Sequence, residues 1–132
     1  MLKKIILTTS LLVLSQLTYA ENCPTVNEIK AHDLHGWQAL TTDSASVLTA
    51  AEMIRFTSDV ENFSLAEWMN DAPEGPAHCY YTNINKNDPH YLGVFLAKHN
   101  LIPEEKSASW HSVDSDIQLC HGDVTECGFV SK

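Results

Sequence analysis

Hydrophobic positions along the chain fall in short runs, each closed by a cluster of Asn, Asp, Gly or Pro, the pattern of strands joined by turns. The run His78-Cys79-Tyr80-Tyr81-Thr82 is the pivot. Cysteine, tyrosine and threonine suit a pleated, half-buried surface, so this stretch is predicted to be a central strand. Ahead of it, Phe63 to Met69 is apolar and aromatic, with Phe63 and Leu65 expected on one face of a strand; a helical turn through Ala66-Glu67 is the competing reading. Between them lies Asn70 to Pro76, whose two prolines and glycine no regular element absorbs. A β-hairpin from Phe63–Met69 into Cys79–Thr82 follows. Tyr91 to Ala97 is continuously apolar, which predicts a strand buried on both faces, with a buried helix as the alternative. Trp37 to Leu40, Trp110 to Val113, Ile117 to Cys120 and Cys127 to Val130 read as further strands. Asn83 to Pro89 reads as a turn-rich connection and Pro103 to Ser109 as a polar, exposed one.

Two stretches carry helix-start chemistry. Thr25-Val26-Asn27-Glu28 is a capping box, in which the Thr25 hydroxyl accepts from the amide three residues on and Glu28 reaches back. It predicts a short helix from about Val26 to His32, with Gly36 close behind. Thr49-Ala50-Ala51-Glu52 is a second, with Ala50, Met53, Ile54 and Thr57 at helical spacing. Met53 to Thr57 also suits a strand; the helix is favoured. The fold class expected is α+β: a short N-terminal helix packed on an antiparallel sheet of about four to six strands, with two disulfides.

The first residues change the setting. Lys3 and Lys4 precede a mainly apolar Ile5 to Leu17, and Thr18-Tyr19-Ala20 supplies small residues at a cleavage site, so residues 1–20 are expected to be a signal peptide. The apolar run is too short, and too broken by Thr and Ser, to favour a membrane span. Residues 21–132 then form a single exported domain, periplasmic or secreted. Cleavage removes two lysines and no acid, moving the formal charge from −9 to −11. Such acidity disfavours nucleic acid and anionic lipid, and it permits a basic protein or peptide partner.

All four cysteines, Cys23, Cys79, Cys120 and Cys127, lie in the exported part, and an even count in an oxidising space reads as two disulfides. Of three possible pairings, Cys23–Cys79 and Cys120–Cys127 are favoured, because the last two cysteines flank the turn-like His121-Gly122-Asp123 inside one expected hairpin.

The order of landmarks also has a counterpart. Cys23-Pro24, Ile29-Lys30, Trp37, Cys79-x-Tyr81, Leu92 to Leu96, Trp110, Cys120 and Cys127-x-Phe129 together make the chain resemble a family of small exported bacterial proteins known only as a domain of unknown function. The resemblance spans nearly all of residues 21–132, except Thr41 to Asp59, which reads as an insertion. It implies a helix on an antiparallel sheet and two disulfides, with no catalytic residue to carry over.

Candidate chemistry rests on seven histidines. Glu28, His32 and His35 stand at i, i+4 and i+7, so a helix running through them would present all three to a Zn or Cu ion. Solvent-exposed histidines are the plainer reading. His78 and His121 adjoin cysteines, but disulfide sulfur is no thiolate ligand, and neighbouring strand residues face opposite sides. Nucleophile elbow, phosphate loop, His-Glu-x-x-His and Cys-x-x-Cys are all missing, and Glu104-Glu105 reads as a solvated loop. No catalytic residue and no cofactor are assigned. Two functions follow. One is a non-catalytic interaction module, favoured by an exposed Trp or Tyr beside an acidic patch. The other is a small periplasmic enzyme or metal-binding protein, favoured by a pocket gathering two or more histidines.

Overall fold

The structure is a computed structural model and describes residues 20–83 and 92–132. The expected signal segment (all but Ala20), the connection 84–90 with His90, and Tyr91 lie outside the described residues. The elements run α1 (Val26–Lys30), β1 (Gln38–Thr41), α2 (Ala50–Asp59), β2 (Asn62–Met69), β3 (Ala77–Thr82), β4 (Val94–Lys98), β5 (Leu101–Pro103), β6 (Trp110–Ser112), β7 (Ile117–Cys120) and β8 (Phe129–Ser131). Six strands form one antiparallel sheet in the order β1-β4-β3-β2-β7-β6, and β5 pairs antiparallel with β8 in a separate ribbon. β3 is therefore interior, between β4 and β2.

One face of the sheet carries the main core. Cys79 and Tyr81 of β3, Leu96 of β4, Ala66 of β2 and Cys120 of β7 are fully buried there, together with Ile29 of α1, and Phe56 of α2 beside Val60. Tyr81 is its hub. The Phe56 and Phe63 rings meet the Tyr81 ring edge-on at 6.1 and 5.7 Å, and the Tyr81 hydroxyl donates to Pro24 O at 2.5 Å. Burial, with Glu28 nearby, pushes the Tyr81 phenol far above its ordinary range. The ribbon closes the core from the side: Phe129 is buried against Trp110 (5.0 Å) and Trp37 (5.8 Å).

Both capping boxes form, and both disulfides, Cys23–Cys79 and Cys120–Cys127, are present. Several expectations are corrected. α1 stops at Lys30 rather than His32, because the chain turns left-handed at His32 (φ 59°), an extension no helix accommodates. Phe63 and Leu65 do not share a face: a bulge between them sets Phe63 opposite Tyr81 and Leu65 opposite Tyr80, on opposite sides of the sheet. Cys120 and Cys127 do not bracket a hairpin. β7 pairs with β2 and β6, whereas the chain after Cys127 crosses to β5, so the bridge joins the sheet to the ribbon. Pro103, expected in an exposed connection, is a buried residue of β5; proline suits the margin of a two-stranded ribbon.

The bridges enclose very different lengths of chain, with sequence separations of 56 and 7. In the chain-entropy account the longer constrains the unfolded chain by about 4 kcal/mol and the shorter by about 2.5 kcal/mol. Urea unfolding of Cys23→Ser/Cys79→Ser and of Cys120→Ser/Cys127→Ser is expected to show the larger loss for the first pair. The reverse order would contradict this.

Candidate functional site

Strand alternation sends His78 and Tyr80 to the face of β3 opposite Cys79 and Tyr81. Their cross-strand neighbours follow: Glu67 of β2 stands opposite His78, and Phe95 of β4 opposite Tyr80. Leu40, Phe95 and Ala97 form a small second core on this side, with Tyr80 packed against it. The Tyr80 ring stacks on Phe95 at 5.7 Å, and His78 meets Phe95 edge-on at 5.0 Å. Two loops rise over this floor, Thr42 to Ala45 after β1 and the segment containing Glu74 before β3. They enclose a cleft of about 550 Å³ walled by Asp43, Ser44, Glu67, Met69, Glu74 and Tyr80.

His78 organises the cleft. It is 2% exposed, yet both ring nitrogens are used. Nε2–H donates to Gly75 O at 2.8 Å, with Glu74 Oε1 at 3.3 Å from the same nitrogen. Nδ1 lies 3.0 Å from Glu67 Oε1, and the Tyr80 hydroxyl donates to the same oxygen at 3.1 Å. The bond from His78 holds the Glu67 carboxyl below its ordinary value of 4.5, helped by Tyr80 and opposed by burial. Gly75 permits this closure. Its φ is +113°, and a Cβ there would lie 2.5 Å from Lys98 O, so only glycine lets the loop come down onto the ring. At the far wall, Asp43 is held below its ordinary value by the Thr41 and Ser44 hydroxyls.

The ring itself is almost wholly enclosed, with a partner at each nitrogen. What the cleft offers is negative charge over an aromatic floor. Glu67 and Glu74 keep 17% and 21% of their side chains exposed.

The metal candidates separate. Glu28 and His35 do meet, His35 Nε2 contacting Glu28 Oε2, but not along a helix; the left-handed turns at His32 and His35 (φ 49°) bring the ring back. His32 is exposed and outside the cluster, and Asp33 takes its place, so that Glu28, Asp33 and His35 hold ligand atoms within 4.8 Å of one another. Asp33 Oδ1 approaches Nδ1 at 3.5 Å, whereas Glu28 approaches Nε2. Two carboxylates bracketing opposite nitrogens of one ring suit an ion pair better than a shared metal. Glu28 is also committed elsewhere: the Thr25 backbone N–H donates to it, and that bond lowers its carboxyl.

His78 lines this cleft, and His121 lines another recess beside Thr25 and Asn62. Among the described residues, no helix is long and apolar enough to cross a membrane. Comparison of the chain with protein-family models, curated proteins and solved structures gives no match. Glu67, Glu74 and Asp43 were not singled out from sequence; the only signal was the placing of His78 on a strand whose hairpin partner contains Glu67.

Because the folded Glu67 carboxyl is depressed, its contribution to stability is complete above about pH 4.5 and is lost as pH falls through the folded value. Urea unfolding between about pH 6 and about pH 3 is expected to show this acid-side loss, and Glu67→Gln should flatten it. His78→Leu, which leaves the half-buried Glu67 carboxylate with only the Tyr80 hydroxyl and strands the Gly75 carbonyl, is expected to destabilise by about 3 kcal/mol at neutral pH. Wild-type stability in that variant would contradict the organising role.

Proposed function

We propose that the protein is a non-catalytic interaction module whose cleft seats a cationic side chain of a basic protein or peptide. The observation carrying this reading is the juxtaposition of Glu67, Glu74 and Asp43 around the exposed edge of Tyr80. A buried histidine spends both nitrogens on keeping two of those carboxylates in place, which is the support a preorganised binding site needs and a catalytic base could not spare. The formal charge, −9 for the full chain and −11 once residues 1–20 are removed, adds long-range attraction for a positive partner.

The same reading takes residues 1–20 as a cleaved signal and the rest as an exported, periplasmic or secreted domain of the bacterial family that its Cys-Pro, Cys-x-Tyr and Cys-x-Phe landmarks resemble. Two disulfides support that setting. The expected short helix packed on the sheet belongs here too, supported by Ile29 of α1 in the main core. A metal-binding alternative would use Glu28, Asp33 and His35. It is the weaker reading, because the carboxylates face different nitrogens of the one ring.

Titration calorimetry with an oligolysine peptide, and an oligoglutamate peptide as control, tests the cleft. Binding is expected for oligolysine alone, weaker at about 0.5 M than at about 0.05 M salt, and reduced about tenfold by Glu74→Gln with Asp43→Asn. Equal binding of both peptides, no heat with oligolysine, or affinity untouched by the double substitution would refute the reading.

A further inference from the structure

A second recess lies on the other side of the same strands. Trp68 follows Glu67 in β2 and so faces away from the cleft. With Trp110 of β6 and Gln118 of β7 it borders a groove of about 330 Å³, closed along one side by Ile102, Pro103, Glu104 and Glu105. Both indole N–H groups are already committed, Trp68 Nε1 donating to Leu101 O at 3.1 Å and Trp110 Nε1 to Gly128 O at 3.0 Å. Those bonds, and the packing of Trp110 on buried Phe129, hold the rings in place while leaving both partly exposed. Neither indole N–H is therefore free to meet a ligand in the groove, and a cation seated over the π face of either ring would be attracted by it.

The acidic side is placed as well. The Glu104 backbone N–H donates to Gly128 O at 3.0 Å, and its side chain lies over Gly128, with Oε2 2.7 Å from where a Cβ would stand; the absence of that carbon leaves its room. Glu105 is exposed beside it. Among the described residues neither carboxylate has an ion-pair partner, and the adjacent Lys106 does not line the groove.

We propose that this groove is a binding site for an arginine side chain carried by an extended basic segment. The volume suits one long side chain rather than a folded surface. The aliphatic stem runs along Ile102 and Pro103. The planar guanidinium lies against an indole and donates to a Glu104 or Glu105 oxygen, a combination that a compact, strongly hydrated lysine ammonium matches less well. The site is independent of the cleft, since Trp68 and Glu67 point to opposite faces.

Indole N–H resonances of the isotope-labelled, oxidised protein read the site directly, with buried Trp37 as an internal control. Titration with N-acetyl-arginine amide is expected to shift Trp68 and Trp110 saturably and leave Trp37 unmoved. The neutral citrulline counterpart should produce no shift, and the lysine counterpart should bind several-fold more weakly. Glu104→Gln with Glu105→Gln should raise the arginine dissociation constant about tenfold while the Trp37 resonance, reporting an intact fold, stays put. Absent or unsaturable shifts, a citrulline response equal to that of arginine, or a double variant that binds arginine as the wild type does would overturn the proposal.

Discussion

The attachment of the segment around Cys23-Pro24 to the middle of the sheet is the constraint on which the rest depends. β3 makes it with two alternate side chains on one face: Cys79 is bonded to Cys23, and the Tyr81 hydroxyl donates to Pro24 O. Both groups are fully buried. The buried hydroxyl and carbonyl satisfy each other, so neither carries the penalty of an unpaired polar group. Thr25 follows at once and caps α1, so this anchorage also sets where that helix starts.

The same alternation couples anchorage to surface chemistry. Once Cys79 and Tyr81 point into the core, His78 and Tyr80 must point out of it, and a slip of one residue would exchange the two sets. The cleft is thus the reverse side of the staple. Glu67 and Glu74 are held there by a histidine whose neighbours in sequence are committed to the interior, so these two carboxylates share the rigidity of the central strand.

Much of the fold was legible in the chain, because its signals are local. The breaker-rich Asn70 to Pro76 marks the β2–β3 connection, and the Thr-x-x-Glu pairs at 25–28 and 49–52 mark both helix starts, since a cap is chemistry within one turn. Features set by distant packing were not. The bulge between Phe63 and Leu65 has no glycine to announce it, and it turns Leu65 to the open face. The crossing after Cys127 depends on the partner it finds in β5, which no spacing encodes. In the cleft, His78 is legible as the first residue of the expected central strand and the neighbour of a cysteine, but not as the support of two carboxylates. Glu67 and Glu74 come from a facing strand and a folded-back loop, whose approach depends on Gly75 and on cross-strand register. Glu104 and Glu105 likewise read as loop charge until the ribbon sets them beside two tryptophans.

Amide hydrogen exchange across β3 and its neighbours, with Cys23–Cys79 intact and then reduced, tests the central claim most directly. In the oxidised protein the slowest amides are expected in β3, β2 and β4, with those flanking Cys23 protected alongside them, and reduction of that bridge should release the whole set together. Strong protection of the sheet that persists after reduction would contradict the claim that this one attachment holds the structure.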